Sequence, residues 1–289
     1  MIPIYEALKR AEAERKAAQP SDLPVEAEML VSAPVEVQPS VSTEITLDDV
    51  AVYTWNPVIE KLPALEGRGA NVEQFRTLRS RIYQICDKEP LKSILISSGM
   101  PQEGKSFVAT NLAISLARHQ NRKVLLIDGD LRRPVLHTLL GCQPKPGLAE
   151  YLAGKVALSK IMQRGGITNL TFIPASSSGD NAAELAGNHK IEELITTLAP
   201  HFDWIIVDSS PVIPVSDAVN FARACDTVLL VARADSTPFD VAQRASAEFR
   251  NSRVLGFVLN AARNVAGRDG YYYSSGYDSA LQQSEVAKG

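Results

Sequence analysis

The chain has 289 residues, which at about 150 residues per domain gives one large or two small domains. Its 45% hydrophobic and 22% charged residues exclude a wholly disordered chain, a collagen-like fibre and a disulfide scaffold. The net charge of −3 gives no chain-wide attraction to nucleic acid, and no nucleic-acid partner is expected. No run approaches the roughly 18 consecutive apolar residues of a membrane-spanning helix. The N-terminus lacks the apolar core of a secretory signal. Cys86, Cys142 and Cys225 match no metal or redox spacing, so a reducing, cytoplasmic compartment is expected.

In chain order, residues 1–18 read as a helix with a narrow apolar stripe of Ile4, Ala7, Leu8 and Ala11, either frayed or docked on a partner. Residues 19–69 read as an acidic, proline-rich linker. Residues 21–60 hold no Lys or Arg, and Pro20, Pro24, Pro34 and Pro39 break regular structure. Alternating valines there leave room for a short docked strand. Residues 1–70 carry six basic and twelve acidic residues, a net of −6, so the remainder carries +3.

From residue 70 to 264 the pattern is that of a compact domain. Asn71–Cys86 has Val72, Phe75, Leu78, Ile82 and Ile85 at helical spacing. Short apolar strands are expected over Lys92–Ser98, Lys123–Asp128, Leu170–Ala175, Trp204–Asp208, Thr227–Ala232 and Val254–Asn260. Helices are expected over Lys105–His119, Ala182–Leu198, Ser216–Arg223 and Phe239–Phe249. Strands alternating with helices predict an α/β fold, a doubly wound and mostly parallel sheet with helices on both faces. Residues 265–289 turn polar and Gly/Ser/Tyr-rich, and read as a flexible tail.

One motif carries chemistry strongly. Gly99-Met100-Pro101-Gln102-Glu103-Gly104-Lys105-Ser106 fits the G-x-x-x-x-G-K-[ST] phosphate loop, between the strand Ile94–Ser98 and the helix Lys105–His119, whose first turn holds Ser106 and Phe107. Glycines let backbone N–H groups turn toward phosphate oxygens, and the helix N-terminus adds partial positive charge. Lys105 suits the β- and γ-phosphates, and the Ser106 hydroxyl suits Mg²⁺, so ATP and Mg²⁺ are the expected cofactors. Two further strands end in carboxylates: Leu125-Leu126-Ile127-Asp128-Gly129-Asp130 and Ile205-Ile206-Val207-Asp208. In open α/β sheets ligands lie at the carboxyl ends of strands, so Asp128, Asp130 and Asp208 are expected to converge on the phosphates and metal. An Asp at a strand end that merely caps the next turn is the plainer alternative for any one of them.

The phosphate loop, LLIDGDLRRP (Leu125–Pro134) and IIVDSSPVIPVSDA (Ile205–Ala218) together resemble the bacterial tyrosine kinases of capsule and exopolysaccharide biosynthesis, as their Walker A, A′ and B motifs. The resemblance spans about residues 70–264 and implies a P-loop NTPase fold and an ATP-dependent protein-tyrosine kinase. By it, Lys105, Asp128, Asp130 and Asp208 are catalytic, and Ser106, Asp128 and Asp208 serve the metal. Asn260 is a candidate for the adenine edge. Arg132 and Arg133 are left between phosphate contact, acceptor contact and a structural ion pair.

Glu73-x-x-Arg76-x-x-Arg79 matches the family's ring-forming helix, and these residues share one helical face. The resemblance therefore implies a homo-oligomeric ring; a solvated charged face is the alternative. Tyr271, Tyr272, Tyr273 and Tyr277 are four of the eight tyrosines and match the tail that ring neighbours phosphorylate. The family also implies protein tyrosine substrates and a separate membrane-spanning activator that recruits the cytoplasmic kinase to the inner face of the plasma membrane.

The chain departs from the family in Asp208-Ser209-Ser210-Pro211, in Asn181-Ala182-Ala183-Glu184-Leu185-Ala186 and in its short tyrosine cluster. Two rival readings share the motif. One is a ParA/MinD-like switch ATPase, but those carry a signature Lys where this chain has Met100. The other is an ATP-binding regulatory subunit of an export complex that transfers nothing.

Overall fold

A computed structural model describes residues 50–176, 181–187 and 189–262. The expected helix over 1–18 and tail over 265–289 lie outside the described residues. Among the described residues a seven-stranded sheet forms from β1 (Ser93–Ser98), β2 (Val124–Asp128), β3 (Gln163–Arg164), β4 (Leu170–Ile173), β5 (Trp204–Asp208), β6 (Thr227–Arg233) and β7 (Val254–Asn260). Their spatial order is β3-β4-β2-β5-β1-β6-β7. Every pairing is parallel except the short edge pair of β3 with β4. The α/β, doubly wound P-loop NTPase architecture is therefore present.

The central strands are buried on both faces, which is why they read as unbroken apolar runs. Successive side chains alternate between two cores. Along β2, Val124 and Leu126 join Ile94, Ile206 and Phe172 on one face. Leu125 and Ile127 join Leu95, Ile205 and Val207 on the other. The first face is covered by α1 (Ala70–Cys86) and α2 (Lys105–Ala117). Helix α2 is buried nearly all round, because it lies between the sheet and α1.

The second face is covered by α4 (Leu148–Leu152), α5 (Leu158–Ile161), α6 (Ala182–Ala186), α7 (Lys190–Leu198), α8 (Asp217–Ala224) and α9 (Phe239–Glu248). A short α3 (Leu136–Leu140) follows β2 on the α2 side. The single helix expected over 182–198 is two helices, because Gly187-Asn188-His189 is a run of poor helix formers.

The linker expected over 19–69 is not a linker over its last third. Val50, Trp55, Leu62 and Ala64 are buried, and Val52 bridges β3 at Arg164. The Asn56 and Val58 amides donate to Gly141 and Leu139 carbonyls (3.0 Å each). Asn111 of α2 accepts from the Ala64 amide (3.0 Å) and donates to the Lys61 carbonyl (3.2 Å). Acidic charge unrelieved by Lys or Arg and frequent proline point to solvent, but apolar side chains and satisfied backbone groups hold the segment on the domain. Gly165 makes room for it, since a Cβ there would meet the Trp55 ring at 2.2 Å.

Candidate nucleotide-binding site

Parallel registration brings the acidic strand ends together. Asp128 of β2 lies opposite Asp208 of β5, and Asp208 lies opposite Ile96 of β1, three residues before Gly99 opens the loop. The phosphate loop therefore leaves β1 beside two buried carboxylates. Lys105, at the first turn of α2, turns back over them. Its ammonium donates to Asp130 Oδ2 (2.9 Å) and Ser106 Oγ (3.2 Å), and stands 3.8 Å from Asp208 Oδ2. Burial by itself would lower the Lys105 pKa, yet the Asp208 and Asp130 carboxylates outweigh it and the net shift is upward. Lys105 is therefore a fixed cation.

The two aspartates differ in what they hold. Asp128 accepts the Asp130 amide (3.2 Å) on one oxygen and the Leu136 amide (3.0 Å) on the other, and so braces the turn after β2. Neither oxygen of the fully buried Asp208 has a hydrogen-bond partner among the described residues. Burial, then the neighbouring Asp208 charge, pushes Asp128 up to about 8. Burial likewise pushes Asp208 up to about 6, opposed by Lys105. A buried carboxylate that accepts no hydrogen bond among the described residues and has the Lys105 ammonium 3.8 Å away, beside a serine hydroxyl, fits a cation ligand. Among the described residues no three acidic, His or Cys groups form a complete metal cage. Asp208 and Ser106 thus suit Mg²⁺, which keeps several waters and shares its ligands with phosphates.

The loop itself is bolted in place by residues the motif does not announce. Glu103 is buried, accepts the Met100 amide (2.8 Å) on one oxygen and receives the Thr237 hydroxyl on the other. Asn260, at the end of β7, donates its amide to the Glu103 carbonyl (2.9 Å). Gly104 sits at φ +98°, and a Cβ there would lie 1.9 Å from Asn260 Nδ2. The loop is thus fastened to β6–α9 and β7, more than 130 residues away in sequence. No spacing in the sequence points to Thr237, a lone Thr-Pro before a helix.

Other expected residues have settled positions. Arg132 forms a two-point ion pair with Asp217 of α8 (2.6 and 3.2 Å), the structural option among the three left open. The Arg133 amide donates to Asp130 Oδ1 (3.0 Å), and its side chain is exposed. On α1, Glu73 and Arg76 pair with each other on the surface (2.5 Å). Arg79 turns inward, donating to Ser115 O (2.8 Å) and Oγ (3.3 Å) of α2. Pro101 and Gln102 line a cavity together with Arg233 and Thr237, and Phe107 packs edge-on against Phe75 at 5.6 Å. Tyr271, Tyr272, Tyr273 and Tyr277 lie outside the described residues. Among the described residues no helix is long and apolar enough to cross a membrane.

The sequence profile of the AAA domain matches residues 92–240, which spans β1, the phosphate loop and the three acidic residues. The tyrosine-protein kinase YwqD of Bacillus subtilis is 31% identical over 220 residues, covering 75% of this chain and 92% of that protein. Some curated relatives are much longer, and the chain matches only 27% of one and 30% of another. Among solved structures, the kinase domain of the Escherichia coli tyrosine kinase ETK is 30% identical with a TM-score of 0.65, covering 78% of this chain and 94% of that one. The cell-division ATPase MinD of Pyrococcus furiosus is 26% identical with a TM-score of 0.51, covering 58% of this chain and 71% of that one. With its loop and all three strand-end carboxylates in place, and near full-length similarity to such a kinase, the chain belongs to the bacterial tyrosine-protein kinase family.

Proposed function

We propose that this protein is an ATP-dependent protein-tyrosine kinase that autophosphorylates its C-terminal tyrosines between subunits and so regulates capsule or exopolysaccharide export. The observation that carries it is the cluster of Lys105, Asp128, Asp130 and Asp208 at the mouth of the phosphate loop, together with family membership. Phosphoryl transfer needs mainly positioning and charge neutralisation, and these residues supply both. The loop amides and Lys105 bind the β- and γ-phosphates. Ser106 and Asp208 hold Mg²⁺, which neutralises charge on the phosphates when bound. Asp128 serves the acceptor side, and Asp130 holds Lys105 in place. Asn260 steadies the loop on the side where adenine is expected.

A phenol on a Gly/Ser segment can enter a neighbour's site, so Tyr271, Tyr272, Tyr273 and Tyr277 are the proposed acceptors. Glu73 and Arg76, on the exposed face of α1, are the proposed ring contacts, with Arg79 fixing that helix against α2. A separate membrane-spanning activator, recruitment to the inner face of the membrane and protein tyrosine substrates complete the proposal. Met100, where switch ATPases carry a signature lysine, weighs against the MinD-like reading.

Incubation with ATP and Mg²⁺, with and without an activator tail, followed by phosphotyrosine mapping tests it. Phosphate on the tail tyrosines, lost in Lys105→Ala, is expected. ATP hydrolysis without phosphotyrosine would turn the reading to a switch ATPase, and binding without turnover to a regulatory subunit.

A further inference from the structure

The stretch that leaves β5 runs beside the end of β1 as far as the phosphate loop. The Ser209 amide donates to the Ile96 carbonyl (3.1 Å), the Val212 amide to the Ser98 carbonyl (2.8 Å) and the Ile213 amide to the Gly99 carbonyl (3.2 Å). Ser210 therefore lies between Asp208 and the first glycine of the loop. That is the carboxyl end of two central strands, where ligands of open α/β sheets sit. Ser210 is 2% exposed.

Other serine hydroxyls at this mouth are already engaged. Ser97 donates to the Ser210 carbonyl (3.1 Å), Ser98 to the Met100 carbonyl (2.9 Å) and Ser209 to the Ile96 carbonyl (3.0 Å). Ser106 Oγ accepts from Lys105 (3.2 Å). The Ser210 hydroxyl differs: it is buried and makes no hydrogen bond among the described residues. Two residues before it, neither oxygen of Asp208 accepts a hydrogen bond among them, and the Lys105 ammonium stands 3.8 Å from Oδ2. Three buried polar atoms with unused hydrogen-bonding capacity thus fall between Asp208 and Ser210. A buried hydroxyl left unpaired costs free energy, so such a cluster at a ligand site marks groups kept for the ligand.

We infer that Ser210 is a positioning residue for Mg²⁺, its hydroxyl accepting a hydrogen bond from the hydration shell of the ion that Asp208 and Ser106 suit. Mg²⁺ gives up its waters reluctantly, and those waters are donors that need acceptors. A hydroxyl accepts where a methyl group cannot. Ser210 stands in the Asp208–Pro211 stretch where the chain departs from its family, so the contact belongs to this chain rather than to the family motif. The inference rests on the nucleotide-binding reading of the loop and not on transfer to tyrosine.

The test measures binding rather than turnover. The full chain and its Ser210→Ala variant are titrated calorimetrically with the non-hydrolysable ATP analogue AMPPNP, once with Mg²⁺ and once with EDTA. Both are also unfolded in urea without nucleotide. The gain in affinity that Mg²⁺ confers should shrink about fivefold in Ser210→Ala, the share of one hydrogen bond. Affinity in EDTA should be unchanged. The urea midpoint should be no lower than that of the unaltered chain, because no bond within the protein is lost. An equal Mg²⁺ gain in the two proteins, or an equal loss with and without Mg²⁺, would overturn the role of Ser210 and leave nucleotide binding in place. A lowered urea midpoint would mean that the hydroxyl is used inside the fold, and would overturn that role as well. An unaltered chain that binds no AMPPNP under either condition would overturn the nucleotide reading, and this inference with it.

Discussion

Gly104→Ala isolates the fastening of the phosphate loop. Gly104 lies at φ +98°, so an alanine there carries a left-handed cost of about 1–2 kcal/mol. Its Cβ would also fall 1.9 Å from Asn260 Nδ2. That atom is the end of a short side chain, so Asn260 can rotate aside, but only by giving up its bond to the Glu103 carbonyl. A neutral hydrogen bond is worth about 1 kcal/mol net. Together these predict a destabilisation of about 2–3 kcal/mol for the nucleotide-free protein, read by urea unfolding. In an Asn260→Ala background the bond is already gone and the clash relieved, so Gly104→Ala should cost only the left-handed share. The reasoning is refuted if Gly104→Ala leaves stability unchanged, or costs as much without Asn260 as with it.

Other outcomes follow from the same geometry. Thr237→Val removes the hydroxyl that meets the Glu103 carboxylate and should weaken ATP binding about tenfold with kcat less affected, while Thr237→Ser restores it. Trp55→Ala should cost about 3–5 kcal/mol in urea unfolding, because that ring packs against Phe172 and is buried; an unchanged midpoint would restore the linker reading for this stretch. The raised carboxyls of Asp128, at about 8, and Asp208, at about 6, keep protons that the unfolded chain has released. The native state then binds more protons than the unfolded one, so nucleotide-free stability should fall as pH rises from about 4 toward 8. Asp128→Asn should flatten most of that slope, and an identical slope in the variant would count against the buried pair.

The sequence made the sheet legible because each central strand is a short, unbroken apolar run with a carboxylate or glycine at its end. Six of the strands, and the longer helices α1, α2, α7, α8 and α9, have lengths that periodicity can reveal. The short α3, α4, α5 and β3 fall below that length, and α6 and α7 merge unless Gly187 is taken as a stop. The docked stretch from Val50 to Ala64 was hidden for another reason. Its anchors are single side chains whose partners, Asn111 and Gly165, lie far along the chain.

The site was legible in its reacting groups and not in their support. Lys105, Asp128, Asp130 and Asp208 meet because parallel register sets the strand ends at one level. That Asp128 braces a turn while Asp208 accepts no hydrogen bond among the described residues depends on two backbone amides that no spacing encodes. The inward turn of Arg79 depends in the same way on the carbonyl of Ser115 across a helix interface.

Transfer between subunits is the central claim, and a mixing experiment tests it most directly. Lys105→Ala chains with intact tails are mixed with active chains whose Tyr271, Tyr272, Tyr273 and Tyr277 are phenylalanine, then given ATP, Mg²⁺ and activator tail. Phosphotyrosine should appear on the Lys105→Ala chains, and should fall when Glu73 and Arg76 are changed to alanine on both. Unphosphorylated Lys105→Ala tails, in a mixture where unaltered chains alone become phosphorylated, would contradict it.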